Sequence, residues 1–425
     1  MKAYRHHRFR HFRPMLRPAP GRKLPRELRR GRVERLAAAL PEGIADLGFE
    51  ILLRRIDGAP FLGGNSIEVY VDGRSAFSGM RKAVAAARHE ILLESYIFKD
   101  DATGRVFLNE AKAAAARGVQ VRVLADALGS SETHVEFWEE MERHGIDVHL
   151  FHPLFESFWY QTFRDHRKIL VVDREVAFTG GMNIGEEYGS PRPKPGSTWR
   201  DTHVRVQGPA AWEMAVVFSE GWLHAGGEPF EIDPLSAEAA EAPGSRVLVL
   251  DSRPRRGQAE SAAVLAALAT ASRQRLWITN AYFAPGHRAV DILGETAGRG
   301  VDVRLLLPGM TDVPIVRRAG HGYYGALLAR GVRIFEYQES ILHAKTLVAD
   351  GLAAVVGSTN LDFRSFLFNA ECDLLILCPQ TAATLEEAFL SDLERSEEIH
   401  LADWRRRPAG KKLGDRLARW LSPFL

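Results

Sequence analysis

One short pattern occurs twice in the chain, and this duplication constrains the fold more than any other sequence feature. Each copy has a histidine, a lysine two residues later and an aspartate five residues after the lysine, and an asparagine follows each histidine at an offset of 17 (166 to 183 and 343 to 360). Equal spacing in two places indicates an internal repeat, and therefore two similar structural units. The copies comprise His166, Lys168, Asp173 and Asn183, and His343, Lys345, Asp350 and Asn360.

Alternating strands and helices are predicted around both motifs. Short apolar segments rich in β-branched residues alternate with alanine-rich segments from about residue 65, and the alternation restarts near residue 246. Such alternation is typical of α/β layers. Helix-glycine-strand steps at residues 117–122 and 299–304 mark corresponding positions. We expect an α/β fold of two similar lobes, each a mostly parallel mixed sheet flanked by helices, related by a pseudo-twofold axis.

Composition divides the chain into five segments. We expect a basic, disordered arm over residues 1–40, a first lobe over 41–225 and a second lobe over 246–400. Residues 226–245 are rich in Ala, Glu, Gly and Pro, which is typical of a linker. Residues 401–425 form a tail of interleaved basic and aromatic residues.

Bulk composition excludes several classes of protein. With 46% hydrophobic and 26% charged residues in 425, the chain has a globular composition. It contains no run of about 18 apolar residues, so we expect no membrane-spanning segment. The two cysteines, Cys372 and Cys378, are too few for a disulfide framework, which favours a reducing compartment.

The net charge of +2 conceals a strong asymmetry. Residues 1–35 contain thirteen Lys/Arg and two Glu, so the rest of the chain carries a net charge of −9. The arm can be interpreted as a solvated tail or as an electrostatic tether to anionic lipid or nucleic acid. The sequence alone does not separate these interpretations.

The motif residues suit phosphodiester chemistry. The residues around them are apolar or β-branched, so each motif lies on a strand, where a spacing of two puts His and Lys on the same face. The aspartate has the opposite parity, which favours an orienting role. The expected catalytic residues are His166, Lys168, Asp173, His343, Lys345 and Asp350. Phosphodiester exchange needs a nucleophile and a proton donor, and two histidines can supply both, while two lysines hold the phosphoryl oxygens. This arrangement requires no metal and no cofactor.

Further polar residues are candidates for support. Asn183, Asn360 and Ser358 follow the motifs near glycines and can donate hydrogen bonds to a phosphate, although ordinary turn chemistry explains them equally well. Asp201 and Glu371 are equivalent in the repeat at an offset of 170. We expect these two carboxylates to orient the histidines.

These motifs resemble the signature of the phospholipase D superfamily. The resemblance covers roughly residues 65–400, and the surrounding sequence is similar to bacterial cardiolipin synthases that lack N-terminal transmembrane segments. It rests on both motifs and on the segments 94–98, 164–168, 308–312 and 366–371. One departure is Asp165, because related sequences commonly carry Asn before the first histidine, and its charge could perturb His166.

The resemblance implies a mechanism and a location. It implies phospholipase D-like lobes with the active site at their interface, His166 as the nucleophile that forms a phosphohistidine, and His343 as the acid and base. The phosphatidyl group would pass from one phosphatidylglycerol to another with release of glycerol. The protein would be peripheral, at the cytoplasmic face of the bacterial cytoplasmic membrane, in contact with an anionic membrane surface. Either the tail from Asp403 is a membrane-interface segment, or it is an amphipathic helix docked on the body, and in both cases Leu413, Leu417 and Trp420 lie on one side.

Other functions share parts of this pattern. A hydrolytic phospholipase D that releases phosphatidic acid would use every catalytic residue named above. A nuclease of the superfamily is less favoured, because its small nucleases typically carry one motif per chain, and nucleic acid is therefore not the expected partner. A non-enzymatic membrane-binding module is disfavoured because both motifs are complete. The acceptor (phosphatidylglycerol, phosphatidylethanolamine or water) and the oligomeric state are not determined by the sequence.

Overall fold

A computed structural model describes residues 38–152, 163–190, 198–252 and 260–421. Within these ranges, sixteen strands form one mixed sheet that runs through both halves of the chain, with helices on both of its faces. The predicted arm over residues 1–40 lies almost entirely outside the described residues. The strands are β1 (Leu62–Tyr70), β2 (Glu90–Ser95), β3 (Gln120–Asp126), β4 (Asp147–Phe151), β5 (Arg164–Asp165), β6 (Lys168–Val172), β7 (Val176–Gly180), β8 (His203–Gln207), β9 (Ser245–Ser252), β10 (Arg275–Thr279), β11 (Asp302–Pro308), β12 (Arg333–Tyr337), β13 (Thr346–Ala349), β14 (Ala353–Gly357), β15 (Asn369–Leu377) and β16 (Ser396–Ile399).

Most helices connect one strand to the next in the chain, as the α/β rhythm predicts. A short 3₁₀ turn, Gly43–Ala45, precedes the first of them. The helices are α1 (Leu47–Asp57), α2 (Gly73–Ala86), α3 (Ala102–Ala116), α4 (Val135–Arg143), α5 (Glu186–Gly189), α6 (Pro209–His224), α7 (Ala237–Ala240), α8 (Glu260–Ala271), α9 (Gly286–Gly298), α10 (Pro314–Leu328), α11 (Phe363–Leu367), α12 (Pro379–Leu393), α13 (Leu401–Arg406) and α14 (Ala409–Leu421).

The strand order confirms the internal repeat. Read across the sheet, the first half contributes β4-β3-β2-β6-β7-β8-β1, and the second continues with β9-β15-β14-β13-β10-β11-β12-β16. The second half repeats the strand order of the first in reverse, as a pseudo-twofold axis requires. It also has one additional outermost strand, β16. Strands β1 and β9 pair antiparallel where the halves meet. The two lobes therefore share one continuous sheet.

Parallel pairing is less extensive than the sequence predicted. It joins β2, β3 and β4 in the first half and β10, β11 and β12 in the second. The strands that follow each motif pair antiparallel instead, as in the β6–β7 and β13–β14 hairpins. Their short turns leave no room for the crossover that a parallel connection needs. The predicted mixed α/β class is confirmed, but the sheet is mostly antiparallel around the motifs.

Among the residues that the structure describes, three large apolar clusters hold the sheet between its helices. Helices α6 and α12 cover one face across both halves and pack on residues such as Leu92 and Val348. On the opposite face, each half has its own cluster, built from α2, α3 and α4 in the first and from α1, α8, α9 and α10 in the second. Strand β6 has all five residues buried because helices cover both of its faces.

The predicted linker and tail contain helices. Residues 226–245 include α7, which lies against the start of β1, where a Cβ on Gly63 would meet the Ala242 carbonyl oxygen at 2.5 Å. In the tail, α14 packs against α10. Over the described residues, no helix combines the length and the apolar character that crossing a membrane requires.

Candidate active site

The two motif histidines lie at one edge of the sheet. Lys168 is paired with Ser95, the last residue of β2, and the residue after Lys345 is paired with the last residue of β10. Both motifs therefore begin at the carboxyl ends of the parallel strands. This edge is where α/β sheets generally bind their ligands, because the loops there surround an open crevice.

His166 is held by a carboxylate from the other half of the chain. Its Nδ1 lies 2.9 Å from Oε2 of Glu371, and its side chain is 9% exposed. Ser358 donates a hydrogen bond to the same Glu371 oxygen at 2.6 Å. The Tyr96 ring packs edge-on against the imidazole at 5.0 Å between centroids. With Nδ1–H donated to Glu371, the Nε2 atom is left for a ligand.

His343 has the reciprocal arrangement. Its Nδ1 lies 2.7 Å from Oδ2 of Asp201, which belongs to the first half. The other oxygen of Asp201 accepts the Thr202 N–H at 2.7 Å. The rings of Tyr188, Trp199 and Tyr282 surround the imidazole at centroid distances of 5.4, 5.3 and 5.9 Å.

Backbone hydrogen bonds also join each histidine to the opposite half of the chain. The His166 N–H donates to the Ala370 carbonyl at 2.9 Å, and the His343 N–H donates to the Arg200 carbonyl at 2.7 Å. Strand β5 pairs with the start of β15 in the same region. Each histidine is thus fixed, through both backbone and side chain, by the segment that carries its orienting carboxylate, and neither half could assemble the site alone.

The two lysines lie beside their histidines. Lys168 Nζ donates to the His166 carbonyl at 2.6 Å and lies 5.3 Å from the centre of the Tyr96 ring. Lys345 Nζ donates to the His343 carbonyl and lies 3.1 Å from His343 Nε2. Both lysines are at most 4% exposed. Two buried lysines, one of them 3.1 Å from a histidine Nε2, form a site that favours an anion.

Burial shifts the protonation equilibria of the basic groups toward neutral forms. It lowers the pKa of Lys168 to about 7 and that of Lys345 to about 8. Burial, with the Lys345 charge, lowers the pKa of His343 to about 4. Burial and the charges of both lysines lower the pKa of His166 well below its ordinary value, and the Asp165 charge opposes this shift. Each lysine acts on the histidine of the other motif, as expected for one shared site.

The two orienting carboxylates differ in basicity. Burial raises the pKa of Glu371 to about 7. Burial also acts to raise the pKa of Asp201, but the charges of His343 and Lys345 outweigh it, and the net shift is downward. The His343 partner is therefore the more fully ionised carboxylate near neutral pH.

The motif aspartates are not brought to this site, so their inclusion among the catalytic groups is corrected. Asp173 accepts the backbone N–H groups of residues 88, 89 and 90 at 2.7–2.9 Å, and Asp350 accepts those of residues 273, 274 and 275 at 2.8–2.9 Å. Each lies five residues from the motif lysine along a strand, a separation of about 16 Å. They fix the turns at the opposite edge of the sheet and have left-handed φ angles of 52° and 54°.

The two motif asparagines differ in their hydrogen-bond partners. The Asn183 amide donates to the Tyr188 hydroxyl at 2.7 Å and its oxygen accepts the Ile97 N–H at 3.2 Å, so this side chain positions the loop that surrounds His343. The Asn360 N–H donates to Ser365 Oγ at 3.2 Å, whereas its buried side-chain oxygen has no hydrogen-bond partner among the described residues. The Asn183 amide is therefore engaged within the protein, whereas donation by the Asn360 amide to a phosphate stays a prediction.

The structure adds residues that the sequence reasoning missed. Arg167 donates to Glu94 at 3.4 Å and to Asp251, and its own N–H reaches Asp165 at 3.3 Å. This buried charge cluster supports the segment between β5 and β6 that carries His166. Its one sequence signal is Asp165, the departure noted above, whereas Glu94 and Asp251 come from distant strands that no local pattern links.

Comparison with known proteins agrees with this geometry. Residues 80–189 and 264–393 match the family described as "Cardiolipin synthase, PLD-like domain". The chain is 32% identical to cardiolipin synthase 1 of Bacillus anthracis over 415 residues, which cover 95% of this chain and 81% of that protein. It is 35% identical to cardiolipin synthase A of Pseudomonas aeruginosa over 377 residues, or 88% and 76% of the two chains.

A solved structure shares the fold. The crystal structure of phosphatidylserine synthase from Haemophilus influenzae superposes with a TM-score of 0.71 at 13% identity, covering 89% of this chain and all of that one. At this identity the likeness shows the fold alone. The family match covers more than half of the chain and the relatives align over most of it. The chain belongs to the cardiolipin synthase family, within the phospholipase D superfamily.

Proposed function

We propose that this chain makes cardiolipin from two phosphatidylglycerol molecules through a phosphohistidine at His166. Its family makes it a phosphatidyltransferase of the phospholipase D superfamily. The observation that carries the proposed route is the crossed pairing of His166 with Glu371 and of His343 with Asp201. Because a carboxylate holds Nδ1 of each histidine, Nε2 of each is left for the substrate phosphate.

In the first step, Nε2 of His166 attacks the phosphorus of the donor lipid. The phosphorus–oxygen bond to the headgroup glycerol breaks, and His343 gives its proton to the departing oxygen. Lys168 and Lys345 stabilise the charge that develops on the nonbridging phosphoryl oxygens. The products of this step are free glycerol and a phosphatidyl group bonded to His166.

In the second step, a headgroup hydroxyl of another phosphatidylglycerol is the acceptor. His343 takes the hydroxyl proton, the oxygen attacks phosphorus, and the phosphorus–nitrogen bond to His166 breaks. One phosphodiester has been exchanged for another, so no nucleotide is consumed. Water competes for the same intermediate, and the aromatic rings around His343 limit its access.

The unequal carboxylates support this division of roles. An imidazolium is stabilised best beside a fully ionised partner, and Asp201 is that partner for His343. Glu371, with a pKa of about 7 and a hydrogen bond from Ser358, favours the charged form of His166 less. His166 thus stays a neutral nucleophile. Bound phosphate offsets the lysine charges and raises the pKa of His343 toward the value that an acid needs.

The proposed substrate is a membrane lipid, which implies that the protein acts at a membrane surface. We place it at the cytoplasmic face of the bacterial cytoplasmic membrane as a peripheral protein, in contact with anionic phospholipid. The basic residues of the segment 1–40 and of the tail support such contact, since cations near an anionic bilayer each add about 1 kcal/mol of attraction. Nucleic acid is not the partner that this proposal names.

Product analysis tests the activity. Purified protein is incubated with phosphatidylglycerol vesicles and the lipids are resolved by mass spectrometry, beside His166→Ala, His343→Ala and, as a matched control, the surface variant His144→Ala. We expect cardiolipin and glycerol from wild type and His144→Ala, and none from the other two. Phosphatidic acid as the sole product would make the chain a hydrolase, and cleavage of plasmid DNA with intact lipid would make it a nuclease.

Trapping tests the assignment of the nucleophile. The reaction is quenched in alkali, which preserves phosphoramidates, and the peptides are mapped for a phosphatidyl adduct. We expect the adduct on the peptide that contains His166. An adduct confined to the peptide with His343 would reverse the two roles.

A further inference from the structure

Helix α14 is fixed on the body through one face. Ala418 is buried against Ala284 and Ala319. The Arg419 guanidinium donates to the Gly322 carbonyl at 3.1 Å, and Asp415 forms an ion pair with Arg407 at 2.9 Å. A Cβ on Gly322 would meet the Arg419 Cβ at 2.9 Å, so α14 and α10 are in close contact. The orientation of α14 about its own axis is therefore set.

The opposite face of α14 is apolar and exposed. Leu413, Leu417 and Trp420 are 58%, 58% and 75% exposed. Their spacing of four and three residues places them in one stripe along the helix. A protein rarely leaves such a row of large apolar side chains in water unless something covers it.

The stripe lies beside the active site. Ala418 contacts Ala284, two residues after Tyr282, whose ring is 5.9 Å from the His343 ring. The Tyr282 hydroxyl donates to Asp312 at 2.8 Å, and Asp312 lies in the loop that leads into α10. That loop and the start of α10 expose Met310 and Ile315, by 43% and 38%.

The first half has its own apolar residues at this edge. Leu128 is 42% exposed and immediately precedes Gly129. Gly129 is in close contact with Tyr96, whose ring packs against His166, because a Cβ there would meet the Tyr96 carbonyl at 2.1 Å. Val135, at the start of α4, is 61% exposed. Apolar groups therefore flank the site in both halves.

Basic side chains accompany the stripe. Lys411 and Arg416 are exposed on α14, and Arg405 and Arg406 are exposed on α13. Large apolar residues beside cations are the composition of helices that lie in the headgroup region of an anionic bilayer. A second copy of this chain fits less well, because two such stripes would bring like charges together.

We propose that α14 lays the Leu413, Leu417 and Trp420 stripe into the surface of an anionic bilayer and holds the active-site edge of the sheet against it. This rests on the proposed function in that the substrate is a membrane lipid. The helix docks on the protein through one face and on the bilayer through the other. The surface lipid is thereby presented directly to the loops around His166 and His343.

Paired double variants of the full chain test the docking. Leu413→Ser with Leu417→Ser removes the stripe, and the control Leu47→Ser with Ile51→Ser removes two exposed residues of α1. That helix lies at the opposite edge of the sheet from the active site. Arg273 marks this position: its side chain donates to the Leu40 carbonyl at 2.6 Å, and its backbone N–H donates to the turn residue Asp350. Binding is measured by sedimentation with vesicles of phosphatidylglycerol and phosphatidylcholine. Turnover is measured on vesicles and on short-chain phosphatidylglycerol dispersed as monomers.

The expected result is selective. The stripe variant should lose vesicle binding by about tenfold or more and vesicle turnover in proportion. It should keep wild-type turnover on the monomeric lipid, and the α1 control should match wild type throughout. Trp420→Ser should weaken vesicle binding, whereas Trp420→Phe, which stays apolar, should retain it.

Two results would overturn the docking. One is wild-type vesicle binding by the stripe variant, and the other is an equal loss of turnover on monomeric and vesicle lipid, which would indicate that the stripe supports the fold. Failure of the proposed function is distinguishable from both. Wild type that binds vesicles through the stripe but makes no cardiolipin from either lipid form would refute the activity and support the docking.

Discussion

At the scale of single residues, the site depends on two hydrogen bonds that cross between the halves of the chain. His166 Nδ1 to Glu371 and His343 Nδ1 to Asp201 measure 2.9 and 2.7 Å. Both carboxylates are fully buried, so a neutral replacement removes charge without exposing the site to water. The carboxylates are therefore the residues at which orientation can be tested apart from chemistry.

Glu371→Gln should reduce kcat by about 10² to 10⁴-fold while leaving the melting temperature near that of wild type. A glutamine can present its N–H₂ to Nδ1, which favours the tautomer with the proton on Nε2 and blocks the attack on phosphorus. The melting temperature should not fall, because a buried carboxylate carries a larger desolvation cost than the neutral glutamine that replaces it. Steady-state kinetics and calorimetry check this, with exposed Glu142→Gln as the control, and an unchanged kcat would remove Glu371 from the mechanism.

Sulfate, which resembles a phosphoryl group, should bind more weakly as the pH rises from about 6 to about 9. Lys168 and Lys345 have pKa values of about 7 and about 8 in the folded protein, so both are charged at the lower pH and neutral at the higher. Glu371, with a pKa of about 7, gains its negative charge over the same range and acts in the same direction.

Isothermal titration calorimetry measures the sulfate affinity, and sulfate itself does not titrate in this range. Lys168→Met should weaken binding at low pH and flatten the dependence. An affinity that is constant with pH in wild type would show that the lysines do not hold the anion.

At the scale of elements, the β6–β7 and β13–β14 hairpins connect the catalytic edge of the sheet to the opposite edge. The first strand of each hairpin begins at or next to a motif lysine and leads to a motif aspartate in the hairpin turn, and this aspartate also holds the turn before β2 or β10. The eight-residue motif therefore has a catalytic end and a structural end. Both histidines precede these strands, so strand parity does not place them, and it carried no information on what the aspartate touches.

Asp350→Ala should lower the free energy of unfolding by about 2–4 kcal/mol, because three backbone N–H groups lose their acceptor. Asp350→Asn should cost less, since asparagine tolerates the left-handed φ of 54° and keeps one acceptor oxygen. Denaturant titration gives the free energies. In protein that remains folded, kcat should stay within about twofold of wild type, and a large loss of kcat at full stability would restore a catalytic role.

At the scale of the whole molecule, the two halves are joined by one sheet and by one site. Beyond the β1–β9 pairing, Arg200 of the first half forms an ion pair with Asp392 of α12, with contacts of 2.8 and 3.0 Å. The same guanidinium donates to the Asp201 carbonyl at 2.8 Å. One guanidinium therefore links the contact between the halves to Asp201, the residue that orients His343.

Arg200→Ala should reduce both the free energy of unfolding and cardiolipin synthesis, the latter by about tenfold, because the Asp201 segment loses a support. Asp392→Ala should act mainly on stability. The double variant should show a coupling of about 1–3 kcal/mol in the unfolding free energy, since the pair is nearly buried. Additive effects in this double-mutant cycle would mean that the ion pair does not link the halves.

Much of this arrangement was determined by the sequence alone. The duplicated spacing predicted two similar units, the strand and helix rhythm predicted the α/β class, and both are confirmed. The offset of 170 between Asp201 and Glu371 predicted that two equivalent carboxylates serve the two histidines. Periodicity and repeat spacing are properties of the sequence itself, so they can be read without knowledge of the fold.

Only the tertiary structure decided which carboxylate serves which histidine, and where the aspartates and α14 lie. Each histidine takes its partner from the opposite half, because the pseudo-twofold axis brings β5 to β15 and residue 342 to residue 200. The motif aspartates, expected among the catalytic residues, instead hold turns, because the backbone N–H groups that they accept belong to distant segments of the chain. The amphipathic pattern of α14 predicted an apolar side, but only packing on α10 showed that this side faces outward. Partner choice and exposure are relations between remote segments, which no local pattern in the chain encodes.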